Sequence, residues 1–204
     1  YEPTSGAIRI GGVDIRSIRK DHLRARVGLV AQESFLYARS VGDNIRIVRP
    51  DAPDEAVFKA ARTARVDDFA RDFERGYDTL VGERGVTLSG GQKQRVSIAR
   101  ALLKENDVLI FDDSLSAVDS ATDRAIREAL RQRRAEGEKS ATTFVISHRL
   151  TTLSEADKIV VLQGGTVAEI GTHDELIRTD GLYRRIYQIQ SALESELSEG
   201  GESP

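Results

Sequence analysis

Val108-Leu109-Ile110-Phe111-Asp112-Asp113 decides how this 204-residue chain is read: four apolar residues in a row end in two adjacent carboxylates. A short all-apolar run is the pattern of a strand buried on both faces, as in parallel sheets. Carboxylates at the carboxyl end of such a strand stand where α/β sheets bind ligands. Asp112 is the type of residue that holds Mg2+, a hard cation that prefers carboxylate and water oxygens. Asp113 can orient a water for attack on a phosphoryl group; a solvated strand-end turn would use the same two residues. Upstream, Leu88-Ser89-Gly90-Gly91-Gln92 leads into a helix predicted over Gln92 to Lys104, with Val96, Ala99, Leu102 and Leu103 near one side. A helix N-terminus offers unpaired N–H groups and partial positive charge, and glycines let an anion approach the backbone. Ser89 adds a hydroxyl donor; as an ordinary N-cap it would occupy the same place.

Outward from these two stretches, Ala7 to Ile10 and Val27 to Ala31 read as short buried strands. Asp43 to Arg75 carries helical periodicity broken at Pro50 and Pro53. A helix is predicted over Thr122 to Arg134. Then come strand Thr143 to Ile146, helix Thr151 to Ala156, and strands Ile159 to Leu162 and Thr166 to Ile170 about a Gln163-Gly164-Gly165 turn. Helices over Asp174 to Arg178 and Leu182 to Gln190 follow. Ser191 to Pro204 holds four Glu and no basic residue, the composition of a disordered acidic tail. Strands alternating with helices predict an α/β fold with a parallel sheet, and a mostly helical insert from about residue 40 to 104.

Composition narrows the function. Lys and Arg number 30 against 33 Asp and Glu, a net charge of −3, which gives no support to a nucleic-acid surface. Arg131-Gln132-Arg133-Arg134 reads as a solvated helix end. The absence of Cys excludes disulfides, thiolate metal sites and a cysteine nucleophile. No apolar run approaches the ~20 residues of a bilayer-spanning helix. No Met occurs, so Tyr1 is expected to be an internal position of a longer polypeptide. His148, just after a predicted strand, is by itself more often structural than catalytic.

Taken in order, these pieces resemble the nucleotide-binding domain of an ATP-binding cassette (ABC) protein, from Tyr1 to about Gln190. Gln32 in Val30-Ala31-Gln32-Glu33 matches the Q-loop and Leu88 to Gln92 the signature. Val108 to Asp112 matches the Walker B strand, Ser116-Ala117-Val118-Asp119 the D-loop, and His148 the switch histidine. The resemblance implies a P-loop NTPase-type (RecA-like) parallel sheet with an inserted helical signature subdomain, and ATP with Mg2+ as the bound pair. It implies that Asp112 and Gln32 serve the metal, and that Asp113, His148 and Gln32 serve hydrolysis. Ser89, Gly90, Gly91, Gln92 and Asp119 would meet a nucleotide at the interface with a second nucleotide-binding domain. Val81-Gly82-Glu83-Arg84-Gly85, Gly171-Thr172-His173-Asp174-Glu175-Leu176 and Gly181-Leu182-Tyr183 resemble exporters. These would carry a transmembrane domain on the same polypeptide, with coupling helices touching this domain on the cytoplasmic face. A non-transport ABC ATPase of the DNA-repair type would carry a long coiled coil between Gln32 and Leu88, where only 55 residues without a sustained heptad occur.

Two departures qualify the resemblance. No Gly-x-x-x-x-Gly-Lys-Ser/Thr occurs, and Tyr1 to Gly6 resembles the stretch that follows the P-loop helix. An N-terminally truncated domain is therefore expected to bind ATP poorly in cis and to leave apolar core exposed. Asp113 stands where active ABC ATPases usually have Glu. Its side chain is shorter by roughly 1.5 Å, and a misplacement near 1 Å can cost about 10²-fold in rate. The pattern resembles the half of a heterodimeric bacterial multidrug exporter whose own site is slow. A homodimer that tolerates Asp113, and a non-hydrolysing partner subunit, stay beside that reading.

Overall fold

The computed structural model describes residues 3–82, 85–135 and 141–199. They fall into two compact units, divided after Ile146. The domain expected over residues 1–190 spans both units.

In the first unit, β3 (Val27–Val30), β4 (Val108–Asp112) and β5 (Thr142–Ile146) form a parallel sheet in the order β3-β4-β5, with Val30 opposite Phe111 and Phe111 opposite Val145. Side chains alternate between faces along each strand. Val30, Leu109 and Phe111, on one face, are 2% exposed or less. They join a core that includes Val96, Ile98 and Leu102 of α5 (Gly90–Leu103) and Ile126 of α6 (Ser120–Ala135). On the other face Leu29 is 61% and Phe144 56% exposed, with Ile110 half-buried between them in register. The run expected to be buried on both faces is therefore closed on one.

The expected buried strand at Ala7 to Ile10 is corrected. Only Arg9–Ile10 (β1) is extended, paired antiparallel with Val13–Asp14 (β2), and Ile8 and Val13 are about half exposed. A two-stranded hairpin of this size offers its own apolar residues little burial. After α1 (Lys20–Arg26) comes β3, and then the mostly helical part: α2 (Val41–Arg46), α3 (Asp54–Thr63), α4 (Asp67–Ala70) and α5. Pro53 precedes α3, where its fixed φ suits a helix start. α5 starts on a capping box: the Ser89 hydroxyl accepts from the Gln92 N–H, and the Gln92 side-chain oxygen accepts from the Ser89 N–H. At its far end the Lys104 ammonium donates to the carbonyls of Arg24 (2.8 Å) and Val27 (2.7 Å), tying the helical part to the entry of β3.

The second unit holds α7 (Leu150–Leu153), the antiparallel hairpin β6 (Ile159–Gln163) and β7 (Thr166–Gly171), α8 (His173–Arg178) and α9 (Leu182–Glu199). Gly164 and Gly165 both have positive φ, as a two-residue hairpin turn matching the strand twist requires. Ile159, Leu176 and Tyr183 form its small core. Glu169 on β7 accepts from the first N–H groups of α9 at Leu182 and Tyr183. α9 runs on to Glu199, which corrects the expected disordered tail from Ser191 as far as that residue; 200–204 lie outside the described residues.

Candidate functional site

Parallel pairing brings the predicted residues of the first unit to one edge. β3 and β4 end side by side, so Gln32, two residues beyond β3, leaves from the same edge as Asp112 and Asp113. Gln32 and Asp112 are exposed. Asp113 is half-buried and has a left-handed backbone, φ 46°, with its N–H donating to the Ile146 carbonyl at 3.0 Å. Asp tolerates this conformation better than longer or branched residues do. The turn that follows is held by Ser116, whose N–H and hydroxyl both donate to the Asp113 carbonyl. A carboxylate open to solvent at a strand end fits a cation that keeps several waters. Among the described residues no cluster of three or more His, Asp or Glu forms a closed metal site.

Ser89 and Gly90 are exposed at the start of α5, and a Cβ at Gly90 would meet nothing within 4 Å. Gly91 is different: a Cβ there would lie 3.1 Å from the Ala117 carbonyl. The signature stretch and the Ser116 to Asp119 turn thus pack closely, and only glycine fits without displacement. In the observed state Gln92 spends its side-chain oxygen on the capping box rather than facing outward.

Asp119 caps α6, accepting from the Thr122 N–H (2.9 Å) and hydroxyl (2.8 Å). It also pairs with Arg95 of α5 and with Arg65 at 3.4 Å. Arg65 has a left-handed backbone (φ 54°) and pairs with Asp68 at 2.7 Å, while its carbonyl accepts from Arg95 at 3.3 Å. Burial pushes the Asp119 carboxyl up, but the Thr122 donors and the Arg95 charge outweigh it and hold the pKa at about 2.

His148 belongs to the second unit. It is exposed, and its carbonyl accepts from the Gln190 amide at 3.0 Å. Glu83 and Arg84 of the expected exporter-type loop lie outside the described residues. His173 hydrogen-bonds Tyr183 at 2.8 Å and lies against the Tyr187 ring.

Sequence reasoning passed over Gln94. It is 2% exposed, donates from Nε2 to the Ala31 carbonyl at 3.1 Å, and accepts from the Ser34 hydroxyl. The signal was a polar residue amid the buried Val96, Ile98 and Ala99. Arg100 likewise reaches the carbonyls of Phe35 (3.2 Å) and Asn44 (2.9 Å).

Residues 1–116 match the family model described as ABC transporter. The mitochondrial potassium channel ATP-binding subunit of Xenopus tropicalis is 50% identical over 94% of this chain, which spans 27% of that protein. A Bacillus subtilis protein named for multidrug export, as an ATP-binding/permease protein, is 47% identical over 94% of this chain and 32% of its own length. A solved bacterial Atm1-family ABC exporter with ATP bound superposes with a TM-score of 0.84 at 44% identity, over 93% of this chain and 33% of that one. The chain thus spans about a third of the length of these relatives. On the family match, the sheet topology and the order of the motifs, this chain belongs to the ABC transporter family, as an exporter-type ATP-binding domain.

Proposed function

We propose that this chain is the ATP-binding and ATP-hydrolysing motor part of an ABC exporter that moves a lipophilic substrate across a membrane. The observation that carries the reading is the shared edge of β3 and β4, from which Gln32, Asp112 and Asp113 leave together. Among the described residues no helix is long and apolar enough to cross a membrane, so the membrane part would be a separate segment or subunit. In this reading the domain sits at the cytoplasmic face, pairs head-to-tail with a second nucleotide-binding domain, and takes up the coupling helices near Gln32 to Ser34.

Asp112 would hold the Mg2+ of bound ATP·Mg2+, and the ion's contribution is to neutralise charge on the β- and γ-phosphates. Gln32 senses the metal and the attacking water. Asp113 orients that water for in-line attack on the γ-phosphorus, releasing phosphate and ADP, and the family resemblance gives His148 a share in positioning it. Ser89, Gly90, Gly91 and Gln92 grip the γ-phosphate held by the opposite domain, where backbone N–H groups and the helix dipole favour an anion. For that, the Gln92 side chain must leave the capping box. Asp119 communicates between the two sites.

Asp113 supports a slow site on this Walker B strand and an active one completed for the partner by this signature, which is the heterodimer reading. In the limit this half hydrolyses nothing and only closes on ATP. The test is ATPase of the full-length half assembled with its partner. Asp113→Glu is expected to raise turnover and reveal a second active site, and no rise defeats the slow-site account. Ser89→Ala is expected to slow the partner's site; unchanged turnover removes the trans role.

A further inference from the structure

We propose that Gln94 is a positioning residue that locks the Gln32 loop to the signature helix, so that the two move as one body. The inference rests on the reading of Gln32 and Ser89 to Gln92 as parts of the ATP sites. Gln94 lies four residues after Gly90, about one turn into α5. Its buried amide uses both ends: Nε2 donates to the Ala31 carbonyl at 3.1 Å and Oε1 accepts from the Ser34 hydroxyl. Residues 31 and 34 flank Gln32 and Glu33, both of which are exposed. One side chain therefore grips the loop on either side of Gln32, and Gln32 itself is left free to face a ligand.

The chemistry makes this grip stringent. A buried amide is costly unless its donor and acceptor are both satisfied. Gln94 is satisfied only while the 31–34 backbone and the Ser34 hydroxyl keep their place against α5. An apolar side chain would fill the same space with no such demand. Farther along the helix, Arg100 holds the Phe35 and Asn44 carbonyls, so the segment after β3 is attached to α5 at two levels. A shift of the α5 N-terminus as it meets a phosphate is thus carried to Gln32 within a single turn of helix. Because the signature serves the opposite domain's nucleotide and Gln32 serves its own, the Gln94 amide joins the two sites of the dimer.

The experiment uses the full-length, assembled transporter, with kcat and KM for ATP·Mg2+ measured per folded molecule. Ser34→Ala and Gln94→Leu are each expected to lower kcat, Gln94→Leu by about tenfold, with KM within about twofold, as misplacement of a positioned group does. The double variant is expected to match Gln94→Leu alone, since both changes break one grip. Ser34→Thr, which keeps the hydroxyl, restores turnover. Effects that multiply, or an unchanged kcat in Ser34→Ala, overturn the proposal, and the Ser34 pair decides it even where Gln94→Leu fails to fold. Gln32→Ala separates the two levels. If it leaves kcat unchanged, the ATP-site reading itself fails; if it lowers kcat while Ser34→Ala is silent, only the role of Gln94 fails.

Discussion

The two faces of the β3-β4-β5 sheet carry similar side chains and have opposite surroundings. Val30, Leu109 and Phe111 are sealed under α5 and α6, whereas Leu29 and Phe144, one residue along in register, stand more than half exposed. A parallel sheet ordinarily has both faces covered, so hydropathy describes what a strand can bury and the neighbouring elements decide what it does bury. The machinery attached to the sheet follows the same division. The covered face is the one roofed by α5, which carries Ser89 to Gln92 at its start and Gln94 and Arg95 behind it. The Asp119 network with Arg65 and Arg95 fastens the start of α6 to that roof.

The largest expected effect tests this contrast directly. Phe111→Ala should destabilise the first unit by about 3–5 kcal/mol, the range for a fully buried aromatic, read from amide exchange of β4. Phe144→Ala in the same chain should cost less than about 1 kcal/mol, since a half-exposed ring has little burial to lose. Equal losses would break the comparison. The second test moves Phe144→Ala into the full-length protein. Where a further element covers the bare face, the cost should rise toward about 3 kcal/mol, and the binding of an apolar dye that is expected of the isolated chain should be absent. An unchanged cost would mean that the face is bare in the whole protein as well.

The smallest effect concerns the fastening of α6. The Asp119 pKa lies below the ordinary 3.8, at about 2. The stability it contributes is therefore fully present above about pH 4 and is lost as the pH falls toward 2. Its side chain is 44% exposed, so screening limits the contribution to roughly 1 kcal/mol or less. The stability gap between the native chain and Asp119→Asn should narrow across that window, and a gap independent of pH would remove the charge network from the account of the covered face.

Much of the frame was legible from residues alone. β3, β4 and β5 lie within a residue of the stretches their apolar runs marked, and α5 begins at the glycines that follow Ser89. The Gly164-Gly165 turn is where the hairpin needed it. Other parts were not legible, each for a physical reason. Ala7 to Ile10 has the composition of a core strand, yet in its two-residue hairpin Ile8 and Val13 stay about half exposed. The four Glu after Ser191 argued for disorder, while α9 continues through residue 199. Gln94 looked like one more polar residue on an amphipathic helix, because its partners at Ala31 and Ser34 are about sixty residues away in sequence.

The sequence by itself determined the chemistry on offer: two carboxylates ending an apolar run, glycines after a hydroxyl at a helix start, and a glutamine after a strand. These are local patterns, set by the hydrogen-bonding and conformational limits of the residues themselves. The tertiary structure alone decided that Gln32 and Asp112 share an edge, that Gly91 meets Ala117, that Asp113 sits in a left-handed turn, and that one buried amide holds the loop around Gln32. Those facts depend on which distant segments are packed together. Packing is a property of the folded whole, in which each group is satisfied only by partners that the chain brings from elsewhere.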